Sequence, residues 1–239
     1  MGSTIEKNDV DISKLFNYGD KFTLTDRKGK PITTVFIRLV GDAELNRARV
    51  FALRCSADLR SKLKDLNSEE NKAYMLRDYT DLSKQNLIDM ISSYSYQTLA
   101  KEAVNLTNVP LPKEPVSDAL LEEHEKYQKE VDEYPLLRLN SIKAKMDELL
   151  NNLRIELDKK DKKALVEEYE IVYIANLCEQ EMLDKFREMC AYFGCYKDKN
   201  YKTRMFSSYE EFENLLPDIK KQIIENYSSV ELNSDELKK

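Results

Sequence analysis

The sequence predicts a mainly α protein, in which an N-terminal β-hairpin packs on a helix and helical hairpins follow in a bundle. Three observations carry that prediction. Apolar residues recur at three- and four-residue steps through most of the 239 positions. Only five glycines and six prolines interrupt them, so the elements run long. One stretch alone, residues 21–40, alternates with the period of two that marks strands.

Residues 1–20 are polar and read as an arm, with "ISKLF" (12–16) as a docking turn. In "KFTLTDRKGKPITTVFIRLV", Phe22 and Leu24 alternate with Thr23 and Thr25, and Val35, Ile37 and Leu39 with Thr34, Phe36 and Arg38. Gly29 can take a positive φ between the two runs and Pro31 cannot continue a ladder, so the reading is a hairpin. A lone hairpin is marginal in water; it must pack on a helix or join another chain's sheet.

Asp42 is the expected cap of the first helix, whose stripe is Leu45, Ala48, Ala52, Cys55, Leu59 and Leu63. Ser68 and Glu69 open a second helix, over about 69–78, and Asp81 and Ser83 a third, reaching about 106. The core side of the third is Leu87, Ile88, Ile91, Tyr94, Leu99 and Ala103. Pro110, Pro112 and Pro115 favour extended chain. Residues 109–117 are therefore the expected linker between a domain at 21–108 and a helical bundle at 118–232, with a charged tail at 233–239.

In the second half, Ser117 caps an acidic helix through Glu133, and Pro135 breaks it. The next helix, 135–158, carries Leu139, Ile142, Met146, Leu149, Leu153 and Leu157 as a heptad-like seam. After "DKKDKK" comes a long helix, 162–193, antiparallel to it, ended by Gly194. Ser208 and Glu211 fit a capping box, and Pro217 suits the first turn of the last helix.

Chemistry-bearing patterns are few. His124 is the only histidine and lies in the charged run "LEEHEKYQKE", and "HEKYQ" lacks the second histidine of a zinc motif. Cys190 and Cys195 stand in a C-x4-C spacing near Cys178, with no close CxxC pair, so core thiols are expected rather than a metal centre. The pairs Glu122/Glu123, Glu167/Glu168 and Glu210/Glu211 point about 100° apart on a helix and do not converge. The expectation is a non-enzyme with no cofactor and no metal.

The net charge of −6 gives no global attraction to nucleic acid. A local basic face remains the alternative: Arg47, Arg54 and Arg60 on the first helix, with Lys197, Lys199 and Lys202 in the loop "YKDKNYKTR". The polar start, the absence of a long apolar run and the sparse cysteines predict a soluble protein in a reducing compartment such as the cytoplasm. The preferred partner surface is the segment 205–227, "MFSSYEEFENLLPDIKKQIIENY". Phe206, Tyr209, Phe212, Leu216, Ile219, Ile223 and Tyr227 are its candidate protein-binding residues.

Residues 206–239, "FSSYEEFENLLPDIKKQIIENYSSVELNSDELKK", and the front segment "IRLVGDAELNRARVFALR" resemble parts of small morphogenesis proteins of tailed bacteriophages, above all the tail assembly chaperones. The resemblance implies a helical, non-enzymatic protein of the host cytoplasm or the virion. It would bind the tape measure protein, another tail protein or neighbouring virion subunits, and keep its partner from aggregating. Self-association through the edge of the hairpin is a further expectation, and a membrane partner is not.

Overall fold

The computed structural model describes residues 19–75, 79–116 and 120–236, the side chains of 232–236 excepted. Residues 12–16, Ser117 and the last three residues of the expected tail lie outside the described residues. The chain is mainly α, with an N-terminal antiparallel hairpin ahead of the helices. Contacts group it into two compact units. One runs to Lys62 and resumes at Cys178; the other is Leu63–Leu177.

The first unit is built on the hairpin. Strand β1 (Gly19–Thr25) pairs with β2 (Pro31–Arg38), from Gly19 opposite Arg38 to Leu24 opposite Thr33. Residues 19 and 20 of the expected arm therefore belong to the sheet. A bulge follows Leu24, and Pro31 stands opposite Thr25 at the first position of β2, where a missing N–H is tolerated. Asp26 organises the turn. Its Oδ1 accepts the amides of Lys28 (2.9 Å) and Lys30 (2.8 Å), and Gly29 takes φ +76°.

The sequence did not suggest a third strand. Cys195 and Tyr196 form β3, antiparallel to Ile37 and Phe36, in the order β1-β2-β3. One edge of the hairpin is thus occupied by the chain itself. At the end of the other edge, Gln222 accepts from the Thr25 amide at 3.2 Å and donates to its carbonyl at 3.0 Å. Together these contacts shorten the edge that was expected to join a second copy.

On the sheet's apolar face, Leu24, Val35 and Ile37 are buried against Ala48 of helix α1 (Asp42–Lys64) and against side chains contributed by residues 189–230. Asp42 is the first residue of α1 rather than its cap. Gly41 holds the cap position, and its amide donates to Glu44 Oε2 at 3.2 Å.

The second unit contains α2 (Glu69–Tyr74), α3 (Lys84–Leu106), α4 (Leu121–Asp158) and the first part of α5 (Lys162–Gly194). Ser68 and Ser83 cap α2 and α3 through their hydroxyls. Leu87, Ile88, Ile91, Leu157, Leu165 and Tyr169 form its core. Beside them, Tyr169 stacks on Tyr173 at 5.5 Å and meets Tyr94 and Tyr79 at 6.0 Å. α4 and α5 form the expected hairpin about the charged turn, where Asp161 accepts the Ala164 amide at 2.8 Å.

Three expectations change here. Pro135 does not break the helix; it sits inside the 38-residue α4. It removes one donor, for the Val131 carbonyl, in a stretch that faces water, so solvent can replace that partner. The heptad seam is used only in part: Met146 and Leu157 are buried, and Leu139 is 61% exposed. The proline-rich stretch, as far as it is described, joins α3 to α4 inside one unit, and Tyr134 donates to the Val109 carbonyl at 3.1 Å. The observed division instead falls within α1 and α5, because segments far apart in sequence share each core.

The C-terminal part returns to the first unit. Ser208 caps α6 (Tyr209–Glu213) by accepting the Glu211 amide at 3.2 Å, whereas the Glu211 carboxylate reaches Ser207, one residue before the cap. Pro217 opens α7 (Pro217–Glu236). At Gly194 the need is space: a Cβ there would lie 2.4 Å from the Tyr227 ring and 2.9 Å from the Arg38 carbonyl oxygen.

Gly194→Ala should therefore cost about 1–3 kcal/mol of stability through overpacking. Gly41→Ala, whose Cβ would meet nothing within 4 Å, should cost much less. Chemical denaturation of the two variants side by side checks this.

Candidate protein-binding face

The expected partner surface at 205–227 is mostly core. Phe206, Phe212, Ile223 and Tyr227 are buried, and Tyr209 and Ile219 are half-buried against the same cluster. Leu216 alone is exposed. The reason is packing. The apolar spacing that suggested a docking surface covers the hairpin and the end of α5, with Phe206 and Phe212 edge to face at 5.1 Å and Phe51 of α1 edge-on to Tyr209 at 4.8 Å.

Two polar clusters hold these pieces. In the first, Glu44 of α1 accepts from Arg38 Nη2 of β2 at 3.1 Å and from Arg204 beyond β3. Arg38 also donates to the Tyr196 hydroxyl at 2.8 Å, and the two guanidinium groups lie 5.4 and 5.0 Å from the Tyr196 ring centroid. In the second, Glu188 of α5 accepts from the Tyr209 hydroxyl at 2.7 Å, from Lys185 at 3.2 Å and from Lys220 at 3.4 Å. Lys185 also reaches Glu213 at 3.0 Å. Burial alone would raise the Glu188 carboxyl. The Tyr209 hydrogen bond and the Lys185 and Lys220 charges outweigh it and hold the group below its ordinary value of 4.5.

With its inner stripe spent, α1 keeps an outer face. Ala48 and Ala52 are buried, and their small side chains let the helix lie close to its neighbours. The Ser56 hydroxyl fastens it by donating to the Cys178 carbonyl at 2.8 Å. Val50 and Leu53, off that stripe, are 49% and 57% exposed. Leu53 borders a groove of about 340 Å³ with Arg49, Ala52, Met182, Leu183 and Phe186. Val50 borders a shallower concavity of about 380 Å³ with Asn46, Arg47, Phe51 and Arg54. Two exposed aliphatic side chains thus stand among three arginines, over grooves with hydrophobic floors.

No protein-family model, curated protein or solved structure matches this chain.

The basic residues weighed for nucleic acid are placed as follows. Arg47, Arg54 and Arg60 are exposed on α1, and Lys197, Lys199 and Lys202 are exposed on the loop after β3. That loop is ordered by Asp198, whose carboxylate accepts the amides of Thr203 (2.8 Å) and Asn200 (3.0 Å). Its aromatic neighbours are engaged elsewhere: Tyr196 is buried, and Tyr192 and Phe193 pack on the core.

His124 is exposed on α4. All four cysteines are free thiols, with Cys178, Cys190 and Cys195 buried. Burial pushes the Cys190 and Cys195 thiols up to about 12, so both are protonated at neutral pH. Among the described residues no group of three or more His, Cys, Asp or Glu could hold a metal ion, and no helix is long and apolar enough to cross a membrane.

The residues that sequence reasoning missed are Val50, Leu53 and Leu183. A signal existed: Val50 and Leu53 are apolar but out of step with the Leu45–Ala48–Ala52 stripe.

The lowered Glu188 value fixes a sign. Its contribution to stability is complete above the ordinary glutamate range and is lost as pH falls through the lower folded value. Glu188→Gln should cost about 1.5–3 kcal/mol at neutral pH, as loss of charged hydrogen bonds does. The variant's deficit should shrink below pH 4.5, a trend that urea titrations across the acid range would reveal.

Proposed function

We propose that this protein is a non-enzymatic binding module that holds a helical segment of another protein during assembly. The observation that carries the reading is the outer face of α1, where Val50 and Leu53 are exposed between two concavities and beside Arg47, Arg49 and Arg54. Such a face suits an amphipathic helix that brings apolar anchors at i and i+3 or i+4 and acidic residues around them. The resemblance to tail assembly chaperones supplies the class of partner: a long helical tail protein such as the tape measure protein, or a neighbouring virion subunit. Holding such a partner would keep its apolar stripe from aggregating before assembly.

Nucleic acid is the second reading, through Arg47, Arg54 and Arg60 with Lys197, Lys199 and Lys202. The engagement of Tyr196, Tyr192 and Phe193 within the fold weighs against it, because a single strand needs free rings on which to stack.

Coexpression tests the proposal. A tape measure protein that precipitates alone should stay soluble and copurify with the wild type. It should return to the insoluble fraction with Val50→Asp/Leu53→Asp, whose thermal unfolding should match the wild type because both positions are exposed. Binding to single-stranded DNA that weakens steeply with salt, together with no effect of the double variant on partner solubility, would favour the second reading.

A further inference from the structure

The first half of α4 has an outer face with little covering it, and that face is written in a self-complementary order. Asp132, Leu136, Leu139 and Lys143 follow one another at steps of four, three and four, which places them along one side of the helix. All four are exposed, Leu136 at 62% and Leu139 at 61%. Along this half of α4 the covered side is a different one, marked by the half-buried Tyr127 and Tyr134, and Tyr134 donates to the Val109 carbonyl. The Leu139 side enters the core only farther on, at Met146 and Leu157. Asp132 accepts only a helical-neighbour bond from Gln128, at 3.0 Å on the surface, and neither Asp132 nor Lys143 joins an ion pair among the described residues.

Read backwards, the order Asp-Leu-Leu-Lys becomes Lys-Leu-Leu-Asp at the same spacing. A second copy laid antiparallel across a two-fold axis therefore sets Leu136 against Leu139 of the second copy and Asp132 against Lys143 of the second copy, and the axis repeats both pairs. The flanks agree. Residues 121–134 hold six acidic residues and two lysines, a net of −4 with His124 neutral, whereas residues 141–154, which face them in this register, hold three basic and two acidic residues, a net of +1. Antiparallel pairing thus lays segments of unlike sign on each other; parallel pairing would lay like on like.

We propose that this face of α4 is a homodimer interface, in which two copies pair as antiparallel helices through Asp132, Leu136, Leu139 and Lys143. The contact is short and flanked by exposed charges, so the dimer is reversible and weakens with added salt.

Sedimentation equilibrium of the full chain over a concentration series up to about 100 μM reads the association. The wild type is expected to dimerise. Asp132→Lys and Lys143→Asp, each alone, place like charges opposite each other and should weaken association about tenfold or more. Mixed in equal amounts, the two single variants restore both ion pairs and should form a heterodimer. The double variant Asp132→Lys/Lys143→Asp should recover self-association. A monomeric wild type throughout the series would overturn the proposal. So would a dimer that the single variants leave unchanged, or single variants that stay monomeric when mixed although circular dichroism shows them folded. None of these outcomes depends on the outer face of α1, whose Val50→Asp/Leu53→Asp variant should dimerise like the wild type.

Discussion

The first unit depends on one closure: the end of α5 enters the sheet beside β2. A two-stranded hairpin is marginal by itself, and this one has Leu24, Val35 and Ile37 to bury. Pairing of Cys195 with Ile37 and of Tyr196 with Phe36 adds a third strand. It also draws residues 205–230 over the apolar face. Gly194 permits the approach, since the Tyr227 ring and the Arg38 carbonyl occupy the space that a side chain would need. The hairpin near one end of the chain and the helix near the other are thus parts of one core.

Charge is divided between two tasks. Arg38 and Arg204 are spent on the fold, both clasping Glu44 and lying near the Tyr196 ring, and Lys185 and Lys220 converge on Glu188. These groups hold elements that the chain brings together from distant positions, and they border neither groove. Arg47, Arg49 and Arg54 stand instead beside exposed aliphatic carbon on α1. An arginine beside an apolar groove can give direction to a partner, whereas one paired with a glutamate of another element helps to fix the fold.

Helix α4 shows how a local rule yields to its surroundings. Proline disfavours the interior of a helix chiefly by removing a donor and crowding the preceding turn. At Pro135 the affected turn faces water, and the helix continues through it. The same lack of cover leaves Leu136 and Leu139 exposed, although their spacing looks like that of a core seam.

Much of the local structure was legible in the sequence. The hairpin and its turn, the caps at Ser68, Ser83 and Ser208, the start at Pro217, the core side of α3 and the hairpin of α4 and α5 all follow from residue chemistry within a few positions, and such interactions are encoded where they act. Periodicity also identified which residues are apolar on one side of a helix. It could not say what each side meets. Phe206, Phe212, Ile223 and Tyr227 read as a docking surface until the tertiary structure spent them on the hairpin. Val50 and Leu53 carried only a faint signal and emerged as the open face. Strand β3, with two residues, has no period to detect. Which apolar stripe becomes core and which stays open depends on contacts between segments more than a hundred residues apart, and no local pattern contains them.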